Sequence, residues 1–154
     1  MAPINIEYKG YLVTTDKTQL QPDTIHKWLS EKAYWCKNIP YNIVKSAFDN
    51  SYTIGALIDN KQIAYARLIT DYTTFAYLAD VYVEEAHRGN GISKKMMDIL
   101  MALDWMKGLR KIMLGTLDAH ELYRKYGFTE SKYPDRIMEI ARPTIYGDNH
   151  NRCK

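Results

Sequence analysis

The sequence predicts a mixed α/β fold in which an antiparallel run of strands leads into a strand–helix–strand unit. Two patterns support this prediction. Residues 53–58, 62–70 and 75–83 are rich in apolar side chains and are separated by turn-forming residues, which indicates three consecutive strands. Apolar residues then recur at helical spacing from Ile92 to Met106, which indicates a long amphipathic helix.

The first fifty residues are predicted to form one strand and two helices. Residues 8–14 have the pattern of a short strand. A helix is expected at 22–33, because Pro22 suits the first helical turn and the apolar residues after it have helical spacing. A second short helix is expected at 41–48, after a break at 38–40 that contains a proline.

The α/β alternation continues after the long helix, which is expected to end at Gly108. Residues 111–114 have the pattern of a strand. A last helix is expected at 119–126, with Asp118 as its N-cap and Gly127 at its end. The chain therefore repeats the strand–helix order twice in its second half.

The end of the chain is predicted to carry one or two more strands from Phe128 onward, interrupted at Pro134. The polar tail, 147–154, is expected to be frayed. The length of 154 residues, without repeats or a linker, predicts a single domain over 1–154.

The composition excludes several classes of protein. A net charge of +3, with lysine and arginine interspersed among acids, argues against nucleic acid as a partner. No apolar stretch is long enough for a membrane span, and the N-terminus lacks a signal peptide, so a cytoplasmic location is expected. Cys36 and Cys153 are expected to be free thiols, and no ligand spacing predicts a metal.

The residues with the most chemistry are 88–93, Arg-Gly-Asn-Gly-Ile-Ser, at the junction between an apolar strand and a helix. Such a loop presents free backbone N–H groups and the positive end of the helix dipole, which favours a phosphate. The loop lacks the third glycine of a dinucleotide fingerprint and the Gly-Lys-Ser/Thr of a P-loop. From composition alone, the glycines could also serve only the turn.

Two motifs in order make the interpretation more specific. The first is Arg-x-x-Gly-x-(Gly/Ala) after a strand ending Val-x-Val, which 81–93 match with Ser93 at the last small position. The second is A-x-x-x-Y-x-x-x-G-F, which 119–128 match. Together they resemble the GNAT superfamily of acetyl-CoA-dependent N-acetyltransferases. The resemblance implies a mostly antiparallel central sheet, flanked by about four helices, with a splayed strand pair at the cofactor site.

The resemblance also implies which residues bind acetyl-CoA. The pyrophosphate would contact the loop and the first turn of the helix, and the pantetheine arm would pair with the preceding strand. The implied cofactor-binding residues are Val81, Tyr82, Val83, Arg88, Gly89, Asn90, Gly91, Ile92, Ser93 and Lys94. The family often has an asparagine seven residues before the motif tyrosine, where this chain has Thr116.

Three residues are candidates for the chemistry of acetyl transfer. Tyr123 matches the family's tyrosine that protonates the departing thiolate, and a phenol suits that role because it is protonated at neutral pH. Asp80, in the middle of a strand, is a candidate base, with a structural ion pair as the alternative. His120, one turn before Tyr123, is a second candidate base. A chain of waters could replace either one.

The acceptor is expected to be a primary amine on a small molecule or a peptide, attacking the thioester directly. The resemblance implies that its pocket is walled by Tyr34 and Trp35, which lie between the first two helices, with Tyr72 in a later turn on the opposite side. Tyr34 and Trp35 could instead cap the core. A non-catalytic acyl-CoA-binding module is the alternative function, and the protein is expected to be a monomer or a homodimer.

Overall fold

A computed structural model of the chain describes residues 1–147, so the predicted tail, apart from Gly147, and Cys153 lie outside the described residues. Six strands form one sheet in sequence order. They are β1 Asn5–Tyr8, β2 Tyr11–Thr14, β3 Tyr52–Ile58, β4 Lys61–Thr70, β5 Phe75–Val83 and β6 Lys111–Leu114. Neighbouring strands from β1 to β5 are antiparallel, and β6 is parallel to β5. This confirms the mixed, mostly antiparallel sheet.

Five α-helices cover the sheet within the described residues. They are α1 Pro22–Glu31, α2 Tyr41–Asp49, α3 Ile92–Met101, α4 Asp104–Lys107 and α5 His120–Arg124. The helices α1 and α2 pack around Trp28, Phe48 and Tyr65, whereas α3 and α4 pack on a second cluster that includes Ile54 and Met96. The sheet is therefore buried between helical layers, and the β5-to-β6 crossover runs through α3 and α4.

The N-terminal strand differs from its prediction. Residues 8–14 do not form one strand, because the chain reverses at Lys9 and Gly10 to form the β1–β2 hairpin. Both residues have positive φ, 50° and 84°, which is the backbone of a tight two-residue hairpin turn. The sequence did not indicate this turn, because its first position is a lysine, whereas asparagine or aspartate is the usual signal there.

The long helix predicted from Ile92 to Met106 is interrupted. The helix α3 ends at Met101, and Leu103 is extended, with ψ of 135°, before α4 begins at Asp104. The extended residue between the helices changes the direction of the chain, so α4 does not continue the axis of α3. From α4, Met106 is buried in the core cluster and Trp105 packs against it.

Two predictions near the C-terminus are wrong. Asp118 is not the N-cap of α5, because Ala119 holds that position and its N–H donates to Oγ1 of Thr116 at 3.0 Å. The strands expected from Phe128 onward do not form within the described residues, where the only regular element is a 3₁₀ turn at Pro134–Arg136. As a result β6 forms one edge of the sheet.

Candidate active site

A splayed pair of strands opens a cavity at the edge of the sheet. The strand β5 pairs with β6 only from Phe75 to Leu78, and then continues to Val83 with β4 as its one strand neighbour among residues 1–147. A cavity of about 790 Å³ lies at this divergence, between the end of β5, the start of α3 and α5. The predicted splayed pair is confirmed. Peptide groups of β5 beyond Leu78 that point away from β4 are therefore available to a ligand.

A β-bulge shapes the wall of this cavity. Tyr65 pairs with Tyr82 and Arg67 pairs with Ala79, so two residues of β5, Asp80 and Val81, lie opposite one residue of β4. Asp80 has a φ of 55°, in the left-handed region that non-glycine residues seldom adopt. A bulge bends its strand and re-aims its side chains, which suits the edge of a binding site.

The glycine loop ends in an open helix terminus. Gly89 and Gly91 have φ of 81° and 76°, and Gly91 is the N-cap of α3 without any side-chain capping bond. The first helical hydrogen bond runs from the N–H of Lys95 to the carbonyl of Gly91 at 2.9 Å. The N–H groups of Ile92, Ser93 and Lys94 therefore have no intrahelical acceptor, and these residues line the cavity. Their positive dipole end is a ready site for a phosphate group.

Arg88 is held at the mouth of the same cavity. Its Nε donates to the carbonyl of Val83 at 2.9 Å, and its guanidinium lies 5.5 Å from the centre of the Tyr82 ring. That ring stacks in turn on Trp28 at 5.1 Å. The arrangement fixes the side chain by its Nε and leaves its terminal nitrogens for an anion.

The β1–β2 hairpin clamps the loop, a contribution that the sequence analysis missed. The Tyr8 hydroxyl donates to the carbonyl oxygen of Asn90 at 3.0 Å, and the Tyr11 hydroxyl lies 2.9 Å from Nδ1 of His87. The Asn90 side chain donates to the His87 carbonyl at 2.9 Å and does not line the cavity. The predicted ligand residue Asn90 thus braces the loop from within. No local pattern indicated these contacts, because they join residues about eighty positions apart.

Tyr123 lines the same cavity as the glycine loop. Its side chain is buried, with 6% of its surface exposed. Burial raises the pKa of this phenol, and the negative charge of Asp118 raises it further. The helix that carries it is tied to α3, because the Tyr126 hydroxyl lies 2.6 Å from Oδ1 of Asp98 and 2.8 Å from the Lys94 carbonyl.

Asp80 has both carboxylate oxygens engaged. Its Oδ2 accepts from Nε of Arg67 at 2.6 Å, and its Oδ1 accepts from Nε1 of Trp35 at 3.0 Å. The two charged side chains are only 13% and 16% exposed, and Arg67 also donates to Ser51 at 3.0 Å. The carboxylate therefore holds the indole of Trp35 against the cavity. The edge-to-face contact of Tyr34 with Trp35, at 5.0 Å, completes this wall.

Two predicted site residues lie elsewhere. His120 is exposed at the first position of α5 and lines a second groove, along β6. Tyr72 packs edge-on against Trp105 at 4.9 Å, in the turn before β5. That turn is separated from Val83 by the length of β5, about 26 Å at 3.3 Å per residue. The structure does not bring either residue to the cavity, which gathers all the other predicted site residues except Asn90.

Residues 1–147 also bear on metal binding and membrane insertion. No group of three or more His, Cys, Asp or Glu side chains in this part of the chain is arranged to hold a metal ion. Within the same residues, every helix is too short or too polar to cross a membrane.

Comparison with known proteins agrees with the fold and the motifs. The Acetyltransferase (GNAT) family matches residues 23–128, so the chain belongs to this family. A candidate acetyltransferase of Gibberella zeae is 32% identical over 166 aligned residues, covering 94% of each protein. A crystal structure of a GNAT-family protein from Xanthomonas campestris pv. campestris is 45% identical, with a TM-score of 0.87, covering 90% of this chain and 97% of that one.

A more distant structure shares the fold. A predicted acetyltransferase of Clostridium acetobutylicum, crystallised with acetyl-CoA, has a TM-score of 0.65 and 23% identity, covering 85% of this chain and 94% of that one.

Proposed function

We propose that this protein is an N-acetyltransferase that moves the acetyl group of acetyl-CoA onto a primary amine. The observation that supports this most is that three features line one cavity. They are the open first-turn amides of α3, the unpaired end of β5 and the buried phenol of Tyr123. Each of these features suits a different part of the thioester substrate.

The residues present fit the cosubstrate. The amides at Gly91, Ile92 and Ser93 would hold the pyrophosphate, with Arg88 and Lys94 supplying positive charge. The peptide groups of Val81 and the N–H of Val83 would hydrogen-bond the amides of the pantetheine arm, much as an added strand does, while the Val83 carbonyl accepts from Arg88. The acetyl-CoA in the Clostridium acetobutylicum structure supports this assignment by likeness of fold alone.

Tyr123 would supply the proton for the leaving group. The amine nitrogen forms a bond to the thioester carbonyl carbon, the carbon–sulfur bond breaks, and the phenol O–H gives its proton to the sulfur. The phenolate then takes back a proton from the solvent that received the amine proton. Because its pKa is raised by burial, the phenol stays protonated throughout the neutral range. A general acid of this kind typically contributes ~100-fold or more to the rate.

The contacts of Asp80 favour a positioning role over that of a base. Proton transfer to Asp80 would weaken its hydrogen bond to Trp35 and leave the largely buried Arg67 without a charged partner. We therefore assign removal of the amine proton to water in the cavity. The wall of Tyr34 and Trp35 suits an acceptor with an apolar body next to its amine.

The experiment that tests this function is thiol release from acetyl-CoA with a panel of primary amines. We expect at least one amine to accelerate release over the rate of hydrolysis, and Tyr123→Phe to abolish most of that acceleration. Saturable binding of acetyl-CoA without transfer to any amine would instead indicate a non-catalytic acyl-CoA-binding module.

A matched pair of variants tests the phosphate site. Gly89 has a φ of 81° and open space around it, so both asparagine and aspartate, which tolerate this backbone, can replace it. Gly89→Asn and Gly89→Asp have nearly the same shape but differ by one negative charge. We expect calorimetry to show acetyl-CoA binding about tenfold weaker in the aspartate variant than in the asparagine variant. Equal affinities would show that the pyrophosphate lies elsewhere.

A further inference from the structure

An uncovered strip of the central sheet adjoins the candidate active site. Ile69 on β4 pairs with Tyr77 on β5, and the next pair along the same face is Arg67 with Ala79. Side chains alternate along a strand, so these four residues point to one face of the sheet. That face belongs to α1 and α2, because Tyr65, two residues before Arg67, is buried in the core cluster of these helices.

The strip is apolar but only partly covered. Ile69 is 45% exposed and Tyr77 is 36% exposed, and neither belongs to the core cluster around Trp28. Tyr77 and Ala79 line the cavity of the candidate active site, as Trp35 does, and Ile69 extends this surface beyond the cavity. We name Ile69, Tyr77 and Ala79 the β4–β5 shelf. The cavity therefore opens onto an apolar surface that the helices leave in solvent.

Both carboxylates of the β4–β5 hairpin already have partners. Asp80 is paired with Arg67 at 2.6 Å and also accepts from Trp35 at 3.0 Å. Asp71, in the turn next to the shelf, accepts from the Thr74 hydroxyl and from three backbone N–H groups at 2.8–3.2 Å. A carboxylate has about four acceptor positions, so those of Asp71 are filled. A second ammonium group on the acceptor would therefore find no open partner on the shelf.

The other charges of the cavity also disfavour a second cation near Trp35. Lys32, three residues before Trp35, lines the cavity and places a positive charge on that wall. The two cations assigned to the phosphates add to it. Asp118 is the other carboxylate among the lining residues, and its charge raises the pKa of Tyr123, so it lies near the phenol. The wall next to the shelf therefore favours an acceptor whose body is uncharged.

Building on the proposed function, we propose that the acceptor is an arylalkylamine. Such a molecule carries its primary amine a few carbons from an aromatic ring, and that ring would lie on the β4–β5 shelf. Tyr77 and Trp35 supply rings for edge or stacked contacts, which are worth more than their buried area alone. Ile69 supplies a flat apolar surface beside them. Tyr77 thus takes the place at the acceptor that the sequence analysis gave to Tyr72.

Matched amines test the class of acceptor through kcat/KM for thiol release from acetyl-CoA. Phenethylamine should exceed cyclohexylethylamine, which has a similar size but no aromatic ring, by about threefold or more. Hexamethylenediamine has a second ammonium where heptylamine has its terminal methyl. Heptylamine should exceed this diamine by about tenfold or more, because the second charge would lose water against an apolar surface. A diamine that is used as well as heptylamine, or better, overturns the proposal.

A pair of variants tests the shelf itself. Ile69→Glu and Ile69→Gln have nearly the same shape and change an exposed residue, but they differ by one negative charge. The ratio of diamine to heptylamine turnover should be about tenfold higher in Ile69→Glu than in Ile69→Gln. Ile43→Glu is the control, because it adds the same charge to an exposed isoleucine on α2 that does not line the cavity, and it should leave the ratio unchanged. Equal ratios in the two Ile69 variants would place the body of the acceptor elsewhere.

Calorimetry on the protein saturated with CoA separates this proposal from the proposed function. CoA carries no acetyl group, so the amines can bind without reacting. If phenethylamine binds more tightly than the diamine but is never acetylated from acetyl-CoA, the proposed function fails and the preference of the shelf stands. If the diamine is preferred in both binding and turnover, the acetyltransferase stands and the arylalkylamine proposal fails. Neither binding nor turnover of any amine overturns both.

Discussion

The two loop glycines provide a controlled test of how the N-terminal hairpin holds the loop. An added Cβ at Gly89 would have no heavy atom within 4 Å, whereas at Gly91 it would lie 2.6 Å from the hydroxyl oxygen of Tyr8. Both residues are left-handed, so Gly89→Ala should lower the free energy of unfolding by about 1–2 kcal/mol from backbone strain alone. Gly91→Ala has the same strain and must also displace the Tyr8 hydroxyl from Asn90, which adds about 1 kcal/mol.

Tyr8→Phe completes the test as a double-mutant cycle. The ring carbon of Tyr8 that carries the hydroxyl would lie at 3.8 Å from the new Cβ, an ordinary contact, so removing the oxygen removes the clash. We expect Tyr8→Phe to lower the free energy of unfolding by about 1 kcal/mol in the parent protein, and by almost nothing in the Gly91→Ala variant. Urea denaturation of the parent and the variants measures these differences. Equal stability of the two alanine variants, within about 0.3 kcal/mol, would refute the clamp.

Three further predictions follow from single contacts. Tyr123→Phe should lower kcat by about 100-fold. The affinity for acetyl-CoA, measured by calorimetry, should change by less than about twofold. Unchanged turnover would show that Tyr123 is a packing residue. Asp80→Asn should lower the free energy of unfolding by about 3 kcal/mol, since Arg67 loses its charged partner. It should also raise the KM of the acceptor, because the hydrogen bond that positions Trp35 is weakened. Trp35→Phe should raise the same KM without lowering the stability, and a collapse of kcat in Asp80→Asn alone would restore the base role. Asp71 has its pKa lowered by the Thr74 hydroxyl and by backbone N–H groups, so its stabilisation is present above its unfolded pKa and is lost as pH falls. Asp71→Asn should therefore lower the melting temperature at pH 7, and the difference should shrink below about pH 4; a gap that persists at low pH would contradict this.

Local patterns in the sequence were sufficient for much of the fold. Helical and strand spacing predicted β3, β4, β5 and most of the helices, because burial of one face imposes its period on the residues themselves. The glycine loop and Tyr123 could also be assigned from sequence. A left-handed N-cap needs glycine, and two motifs in order tie both positions to one family.

The rest of the candidate site depends on contacts that the hydrophobic periodicity of the sequence does not indicate. The Tyr8 and Tyr11 clamp and the bridge from Asp80 to Arg67 and Trp35 join residues from 13 to 82 positions apart. Such pairs form only once the strand register and the β5 bulge are set, and a one-residue change of register would turn each side chain to the other face.

The same reason explains the misplaced residues. His120 and Tyr72 have side chains suited to a site, but their direction depends on how α5 and the β4–β5 turn lie against the sheet. The sequence by itself determined the family, the position of the glycine loop and the candidate for the general acid. Only the tertiary structure decided which aromatic and charged side chains meet at the cavity, because those contacts arise from packing between elements and not from the pattern within any one of them.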